Sequence, residues 1–321
     1  MKPLVGEPLS ADGTYVPLMV VGMGKLGGRE LNVSSDIDLV FVYEDEGDTQ
    51  GGTKSISHHE WYTRLGKKLI SLLSELTAEG FVFRVDMRLR PNGDSGPLVC
   101  SLGMLEEYFS VQGREWERYA WIKGRMIYPP EQDAAYPRLF KGLQDLVRPF
   151  VYRRYLDFGV IAAIRELHGQ IQQEAEKRSL AHPERAADIK LGRGGIREIE
   201  FMAQMFQLVR GGQDPGLRIR PTLEVLNAVY ERQLLSEVDL KQLTQAYDYF
   251  RKLEHRLQYW EDAQTHHLPI DDQAQARIAK AMGHADLNEF RATLGNHRTN
   301  VAALFANAFV LKKHSAESDS V

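Results

Sequence analysis

The chain has 321 residues, of which 43% are hydrophobic and 26% are charged, and its formal net charge is −4. This composition is typical of a soluble globular protein with one large or two medium domains, and the nearly balanced charge does not favour nucleic acid as a partner. No apolar run reaches the roughly 18 residues that a membrane span needs. Cys100 is the single cysteine, which excludes an intrachain disulfide. A lone cysteine and the absence of signal-peptide features lead us to expect a cytoplasmic protein with no membrane contact.

The first half of the sequence predicts a small sheet with helices. Residues 1–15 are expected to form a leader without a fold of their own. The apolar run 16–22 predicts a buried strand, the glycine-rich stretch 22–28 follows it, and a second strand is expected over 36–43. A loop over 45–54 then leads to a helix over 58–76. Five leucines are predicted to share one face of this helix: Leu65, Leu69, Leu72, Leu73 and Leu76.

Residues 81–90 alternate between apolar and polar side chains, which predicts a half-buried strand. A turn over 91–96 follows, and residues 97–100 are expected to pair back onto this strand as a hairpin. Ser101 is the expected N-cap of the next helix. Lys123 and Arg125 follow the 116–119 run and are predicted to lie on a helix, where they face either phosphates or solvent.

Beyond about residue 148 the strand signals end. Helical periodicity covers residues 150–178, 196–210, 221–235, 237–262 and 273–310. The predicted fold class is therefore α+β, with a small mixed-sheet domain over 1–148 and an α-helical bundle over 149–321. The polar segment 312–321 is expected to be a disordered tail.

The chemistry is expected at Asp36 and Asp38, which follow the glycine-rich stretch two residues apart in a strand pattern. A period of two places both carboxylates on one face, where they repel unless a cation offsets their charge. Asp86 lies on the polar face of the 81–90 strand, so three carboxylates converge if the two strands are neighbours. Hard oxygen ligands suit Mg²⁺, with Mn²⁺ as a second possibility, and such a trio supports displacement at phosphorus.

Several further residues are predicted to contact nucleotide phosphates or the incoming phosphate. The glycines allow a close approach of the backbone to an anion, and the arginines balance the carboxylates or bind phosphate, the alternative being ordinary ion pairs on an exposed strand face. The residues of this set are Gly24, Lys25, Gly27, Gly28, Ser34, Ser35, Arg84, Arg88, Arg90, Arg193 and Gly194.

The arrangement resembles the DNA polymerase β-like nucleotidyltransferases, in which a glycine-serine element precedes Asp-x-Asp and a third acid completes the metal site. Within that superfamily it resembles glutamine synthetase adenylyltransferase, on the motifs G-M-G-K-L-G-G-R-E-L-N-V-S-S-D-I-D-L at 22–39, R-V-D-M-R-L-R-P at 84–91, R-E-W-E-R-Y-A at 114–120 and K-L-G-R-G-G-I-R-E-I-E-F at 190–201. The variants at 93–99 and 148–155 resemble the N-terminal, adenylyl-removing half of that bifunctional enzyme.

The resemblance implies that the chain removes AMP from a tyrosine of glutamine synthetase by phosphorolysis, releasing ADP. Its partners would be adenylylated glutamine synthetase, inorganic phosphate and ADP, with a PII regulatory protein acting on the full-length enzyme. Transfer of AMP from ATP to a protein or small-molecule hydroxyl is one alternative, and a non-catalytic module that senses nucleotide or PII is another. The family's full chain is much longer, so this chain resembles a fragment of it. Arg29 also departs from the small residue expected beside Gly28.

The turn over 192–195 admits two interpretations. It either binds an anion near the three carboxylates, with Glu198 or Glu200 directed inward, or forms a tight turn between helices. Five positions of the following helix are predicted to face a bundle core: Ile196, Ile199, Ala203, Phe206 and Val209. The pairs His58–His59 and His266–His267 lack a third ligand at zinc spacing, and Tyr119, Tyr155 and Cys100 are predicted to serve packing.

Overall fold

A computed structural model describes residues 2–10, 12–153, 188–261 and 265–310, with positions 166, 169, 173 and 177 besides. By its internal contacts the chain divides into two compact units. The first comprises Met1–Leu31 and Ser35–Tyr155, and the second comprises Asn32–Ser34 and Leu156–Val321. The predicted α+β class is confirmed, because a small mixed sheet lies in the first unit and helices make up the regular structure described in the second. The predicted tail over 312–321 and Tyr155 lie outside the described residues. So does the helix expected over 150–178 beyond residue 153, except at positions 166, 169, 173 and 177, which are helical.

The first unit surrounds its sheet with helices. Its elements are α1 (Lys2–Val5), β1 (Met19–Gly22), α2 (Gly24–Gly27), β2 (Ile37–Tyr43), α3 (His58–Ser74), β3 (Val85–Asp86), β4 (Val99–Ser101), α4 (Leu102–Val111), α5 (Glu115–Trp121), β5 (Arg125–Tyr128) and α6 (Tyr136–Val151). The run of β-branched and aromatic residues in β2 suits a central strand, and it is buried at every position except Asp38. Ser57 caps α3 by accepting a hydrogen bond from the Glu60 amide at 3.1 Å.

Strand β2 lies between two edges of different character. On one edge β1 runs antiparallel to it, with Met19 opposite Val42 and Gly22 opposite Leu39, and β5 continues the sheet antiparallel to β1. On the other edge β3 and β4 both run parallel to β2, β3 beside its first residues and β4 beside its last. These two short strands therefore form one interrupted line, from which residues 87–98 depart as a loop.

This topology corrects two predictions. The hairpin expected over 97–100 is wrong, because Val99 pairs with Phe41 of β2 and not with the 81–90 segment. The strand expected over 81–90 is reduced to Val85–Asp86. The chain turns soon after Asp86, since the Arg90 guanidinium donates to the carbonyl of Met87 at 2.8 Å and also contacts the carbonyls of Asp94 and Gly96. Ser101 is the N-cap of α4, as predicted, and accepts from the Met104 amide at 3.2 Å.

The N-terminal residues and α3 differ from expectation as well. Residues before β1 are not a mere leader, because Glu7 pairs with Gln50 across a backbone bridge and Val5 is buried in the core. Of the leucines predicted on one face of α3, Leu65, Leu69 and Leu73 pack against the core, whereas Leu72 and Leu76 are 64% and 77% exposed. Leu72 therefore lies on an exposed part of α3, and Leu76 lies beyond the end of the helix at Ser74.

The second unit is described as five helices and the turns that join them. They are α7 (Ile196–Arg210), α8 (Thr222–Glu231), α9 (Glu237–Glu261), α10 (Asp272–Ala281) and α11 (Leu287–Val310). The single helix expected over 273–310 is divided, because Gly283 takes a left-handed φ of 87° between α10 and α11. Phe206 and Val209 are only half-buried and line an open groove, unlike Ile196, Ile199 and Ala203. None of the helices described is long and apolar enough to cross a membrane.

Candidate active site

The parallel pairing of β2 with β3 brings the predicted carboxylates to one part of the first unit. Asp38 and Asp86 are register partners, so their side chains leave the sheet on the same face. Asp36 lies two residues before Asp38, and the amide of Ile37 between them donates to the carbonyl of Arg84 at 2.9 Å. The strands that carry the three acids are therefore neighbours, which is the condition on which their convergence depended.

Two arginines balance these carboxylates. The Arg84 Nε donates to Asp36 Oδ1 at 2.7 Å, and the Arg88 guanidinium contacts both oxygens of Asp86, the shortest distance being 2.6 Å. The hydrogen bonds from the Arg88 side chain lower the pKa of Asp86 below its ordinary value. Asp86 is therefore held ionised although its side chain is only 15% exposed.

The glycine-rich stretch passes directly beside Asp38. Its residues Gly24–Gly27 form the single turn of helix α2, and a Cβ placed on Gly24 would lie only 2.7 Å from Asp38 Oδ2. The Met23 amide also donates to the carbonyl of Asp38 at 2.9 Å. The predicted set of Gly24, Lys25, Gly27 and Gly28 thus lies in the segment that adjoins the carboxylate, in a backbone conformation with φ +50° at Gly24.

Lys123 and Arg125 bind residues of this turn and of the segment that follows it, a role that the sequence did not predict. Neither lies on a helix, because α5 ends at Trp121 and Arg125 begins β5. Lys123 is buried and its Nζ contacts Glu30 Oε2 at 2.6 Å, while the Arg125 guanidinium donates to the carbonyls of Leu26 and Gly27. A buried lysine needs an acidic partner, because an unpaired buried charge is costly. The signal available in the sequence was Glu30, an acidic residue close to the glycines.

The serines that precede Asp36 divide between the two units. Ser35 belongs to the first, whereas Ser34, which is buried, belongs with Asn32 to the second. There the Arg251 guanidinium of α9 donates to the Asn32 side-chain oxygen and also to Glu254 Oε2, the latter at 2.5 Å. These hydrogen bonds hold Asn32 within the second unit.

The turn over 192–195 is built for close packing within the second unit. Gly194 has φ +70°, and a Cβ at this position would lie 2.0 Å from the carbonyl oxygen of Arg298 in α11. Arg298 in turn donates to the carbonyls of Arg193 and Asp188. These contacts support the tight-turn interpretation. Because Arg193 and Gly194 belong to a different unit from the three acids, their approach to those acids stays a prediction.

Other singled-out residues have structural partners. Glu198 is the buried member of the Glu198–Glu200 pair. His58 contacts the carbonyl of Asp45 at 2.9 Å, and His266 contacts Glu254 at 3.1 Å. Cys100 is buried in β4, where burial raises the pKa of its thiol to about 12.

The donor set can be tested against a divalent metal. Across the described ranges, no three acidic, imidazole or thiol side chains stand close enough together to share an ion as they are now arranged. Arg84 and Arg88 occupy oxygens of Asp36 and Asp86, so an ion would have to replace their guanidiniums there. Hard carboxylate oxygens on adjacent strands are nonetheless the ligands that Mg²⁺ takes together with substrate phosphates, and the donor chemistry fits.

A glycine-rich turn beside an Asp-x-Asp strand, with a third Asp in register on the next strand, defines the nucleotidyltransferase class. Comparison with protein families agrees with this class. The family model described as glutamate-ammonia ligase adenylyltransferase matches residues 1–138, and the model described as GlnD PII-uridylyltransferase matches residues 165–309.

Three similar proteins are each named bifunctional glutamine synthetase adenylyltransferase/adenylyl-removing enzyme. The chain is 62% identical to the one from Burkholderia mallei over 96% of its own length, 59% identical to that from Ralstonia nicotianae over 95%, and 50% identical to that from Nitrosomonas europaea over 96%. It spans about a third of these curated relatives, at 33%, 33% and 32% of their lengths. Nearly the whole chain therefore aligns with about a third of each of these enzymes, and the resemblance of its motifs to glutamine synthetase adenylyltransferase is confirmed.

Proposed function

We propose that this chain removes AMP from an adenylylated tyrosine of glutamine synthetase by phosphorolysis, yielding ADP and unmodified enzyme. The observation that carries the proposal is the register of Asp38 with Asp86 beside the turn at Gly24. The names of the relatives support the substrate, and the variants at 93–99 and 148–155 support the direction. Control of nitrogen assimilation would be the consequence.

The reaction needs little covalent help from the protein. A phosphate oxygen attacks the phosphorus of the AMP group in line, the bond from phosphorus to the tyrosine oxygen breaks, and the proton of hydrogen phosphate ends on that oxygen. The work of the chain is to position charged groups. Arg84 and Arg88, whose guanidiniums suit phosphate oxygens as well as carboxylates, would bind the attacking and transferred phosphates, with Lys25 and the amides of residues 24–28 beside them.

Asp36, Asp38 and Asp86 would hold Mg²⁺, or Mn²⁺ in its place. A bound divalent ion would neutralise charge that develops on the phosphoryl oxygens. The register of Asp38 with Asp86 and the hard oxygen donors of these side chains support this assignment. Ser34, Ser35, Arg90, Arg193 and Gly194 remain proposed nucleotide contacts.

The test is direct. The chain is incubated with adenylylated glutamine synthetase, labelled inorganic phosphate and Mg²⁺, and label is expected in ADP. Production of labelled ADP that requires both phosphate and the divalent ion supports phosphorolysis. Release of AMP without label, or no release with either Mg²⁺ or Mn²⁺, contradicts it.

Transfer of AMP from ATP onto a hydroxyl is the rival reaction, since the same carboxylates serve both directions. It predicts that label from α-labelled ATP enters unmodified glutamine synthetase, which the proposed function does not. A non-catalytic nucleotide- or PII-sensing module predicts binding without turnover in either assay. We propose that a PII regulatory protein acts on the longer enzyme, an idea supported by the match of residues 165–309 to a PII-uridylyltransferase model.

A further inference from the structure

Four large apolar side chains lie exposed between residues 72 and 82 of the first unit. Leu72 and Leu76 are 64% and 77% exposed, and Phe81 and Val82 are 46% and 61% exposed. Single exposed apolar residues are ordinary, but a group of large ones on a short stretch of chain is typical of a surface that meets another molecule. We call these four side chains the α3 apolar surface.

The backbone beneath this surface is well bonded. The amides of Val82 and Phe83 donate to the carbonyl of Leu73 at 3.1 and 2.8 Å, which ties the returning chain to the end of α3. Between them, Thr77 and Gly80 exchange backbone hydrogen bonds of 2.9 and 3.1 Å. The exposed apolar side chains are thus carried by a backbone with defined local hydrogen bonds.

The surface adjoins the candidate active site through contacts within the same unit. The Phe81 ring lies 5.6 Å from the Arg84 guanidinium, in a cation–π arrangement. The same guanidinium donates to Asp36 at 2.7 Å. One arginine side chain therefore separates Phe81, a member of the α3 apolar surface, from the proposed metal ligand. Strand β3, which carries Asp86, begins three residues after Val82.

We propose that the α3 apolar surface docks the folded protein substrate whose adenylylated tyrosine enters the site. This inference rests on the proposed function and adds the surface by which the substrate protein is held. A nucleotide or free phosphate needs only the charged groups, whereas a tyrosine on a folded protein brings its neighbouring surface against whatever borders Asp36. Large, uncharged side chains at that border fit an apolar patch beside the modified tyrosine, and such contacts dominate binding energy at protein interfaces.

The decisive variant is Leu72→Ser with Leu76→Ser, compared with Val111→Ser as the matched control. Val111 is 75% exposed on α4 of the same unit and lies outside the surface. Kinetics are measured with adenylylated glutamine synthetase and, separately, with O-adenylyl-tyrosine as a small substrate. For the double variant we expect KM for the protein substrate to rise roughly ten-fold or more, with kcat and small-substrate turnover unchanged. The control should match the wild type for both substrates.

Each other outcome has a defined meaning. An unchanged KM for the protein substrate overturns the proposal, and so does an equal loss with both substrates, which would indicate an effect on Arg84. A wild-type dimer that the double variant converts to monomers in sedimentation would assign the surface to a second copy and overturn it too. If the wild type turns over neither substrate, the proposed function fails. In that case the docking proposal is tested by measuring how adenylylated glutamine synthetase binds to the immobilised chain. Weaker binding to the double variant than to the wild type supports docking, and equal binding refutes it.

Discussion

Gly27 offers a sharp test of the turn that adjoins Asp38. A Cβ at this position would lie 1.9 Å from the carbonyl oxygen of Lys123 and 2.5 Å from that of Gly22. Both are backbone atoms, and Lys123 is itself held by its buried ion pair with Glu30. A Gly27→Ala substitution therefore cannot be absorbed by rotation of a flexible side chain.

The size of the effect follows from these distances. To reach an ordinary contact of roughly 3.5 Å, the turn and the Lys123 carbonyl must separate by about 1.5 Å. Overpacking of this kind typically costs about 1–3 kcal/mol, and a clash with backbone belongs at the upper end of that range. Gly28→Ala is the matched control, because its Cβ would meet two side chains, the Glu30 carboxylate at 3.0 Å and the Lys123 Cδ at 3.2 Å, and would lie 3.4 Å from the nearest backbone atom, the Gly24 carbonyl oxygen. We expect that variant to change stability by less than about 1 kcal/mol.

The thiol of Cys100 supplies the assay. It is buried in β4, and its pKa is raised to about 12 by that burial, so a thiol reagent modifies it only when the first unit opens. Pulsed labelling across a urea series then gives the unfolding midpoint of this unit. Gly27→Ala should lower that midpoint by about 1 M, given typical denaturant slopes. Midpoints that agree for the two alanine variants would refute the close packing of the turn against Lys123.

Three further predictions address the site and the second unit. Asp38→Asn should lower phosphorolysis at least about 100-fold with no shift in the unfolding midpoint, whereas near-normal turnover would remove Asp38 from the site and turnover in excess EDTA would exclude a metal requirement. Arg29 has a left-handed φ of 60°, so Arg29→Gly should stabilise the first unit by up to about 1 kcal/mol in the same labelling assay, and a comparable loss would contradict that strain. Glu254 is fully buried and pairs with Arg251. Glu254→Ala should therefore lower the free energy of unfolding by about 3–5 kcal/mol, because it leaves the arginine without this partner. Arg291→Ala, which removes an exposed ion pair with Asp272, should cost under about 1 kcal/mol, and equal effects in urea unfolding followed by circular dichroism would refute the buried pairing.

Local features of this protein were accessible from the sequence because they depend on neighbours along the chain. The spacing of two residues predicts one shared face for Asp36 and Asp38 whatever strand lies beside them. In the structure Asp36 lies just before β2, which begins at Ile37. Ser101 was identified as a cap because its hydroxyl needs only the amide of Met104, three residues later. The helix over residues 196–210 was located to the residue by its pattern and by the glycines that precede it.

Periodicity identifies a face, and it does not say which partner covers that face or how much of it is covered. The five leucines between residues 65 and 76 share a helical pattern, yet only the tertiary structure decided that Leu72 remains exposed and that α3 ends before Leu76. The alternation over 81–90 suits a long strand. The strand is instead only Val85–Asp86, and the chain turns after it, where the Arg90 guanidinium binds the carbonyls of Met87, Asp94 and Gly96.

Contacts between distant parts of the chain were decided by the tertiary structure alone. Lys123 meets Glu30 across 93 residues, and Arg251 meets Asn32 across 219 residues. The residue types that form such ion pairs and hydrogen bonds occur throughout the sequence, so spacing does not select one pairing over another. The partner of each residue is selected when the sheet and the helical unit fold, because folding brings one candidate partner within hydrogen-bond distance and buries it. The sequence by itself therefore predicted the strand that carries Asp38, whereas only the fold decided that Asp86 stands in register with it.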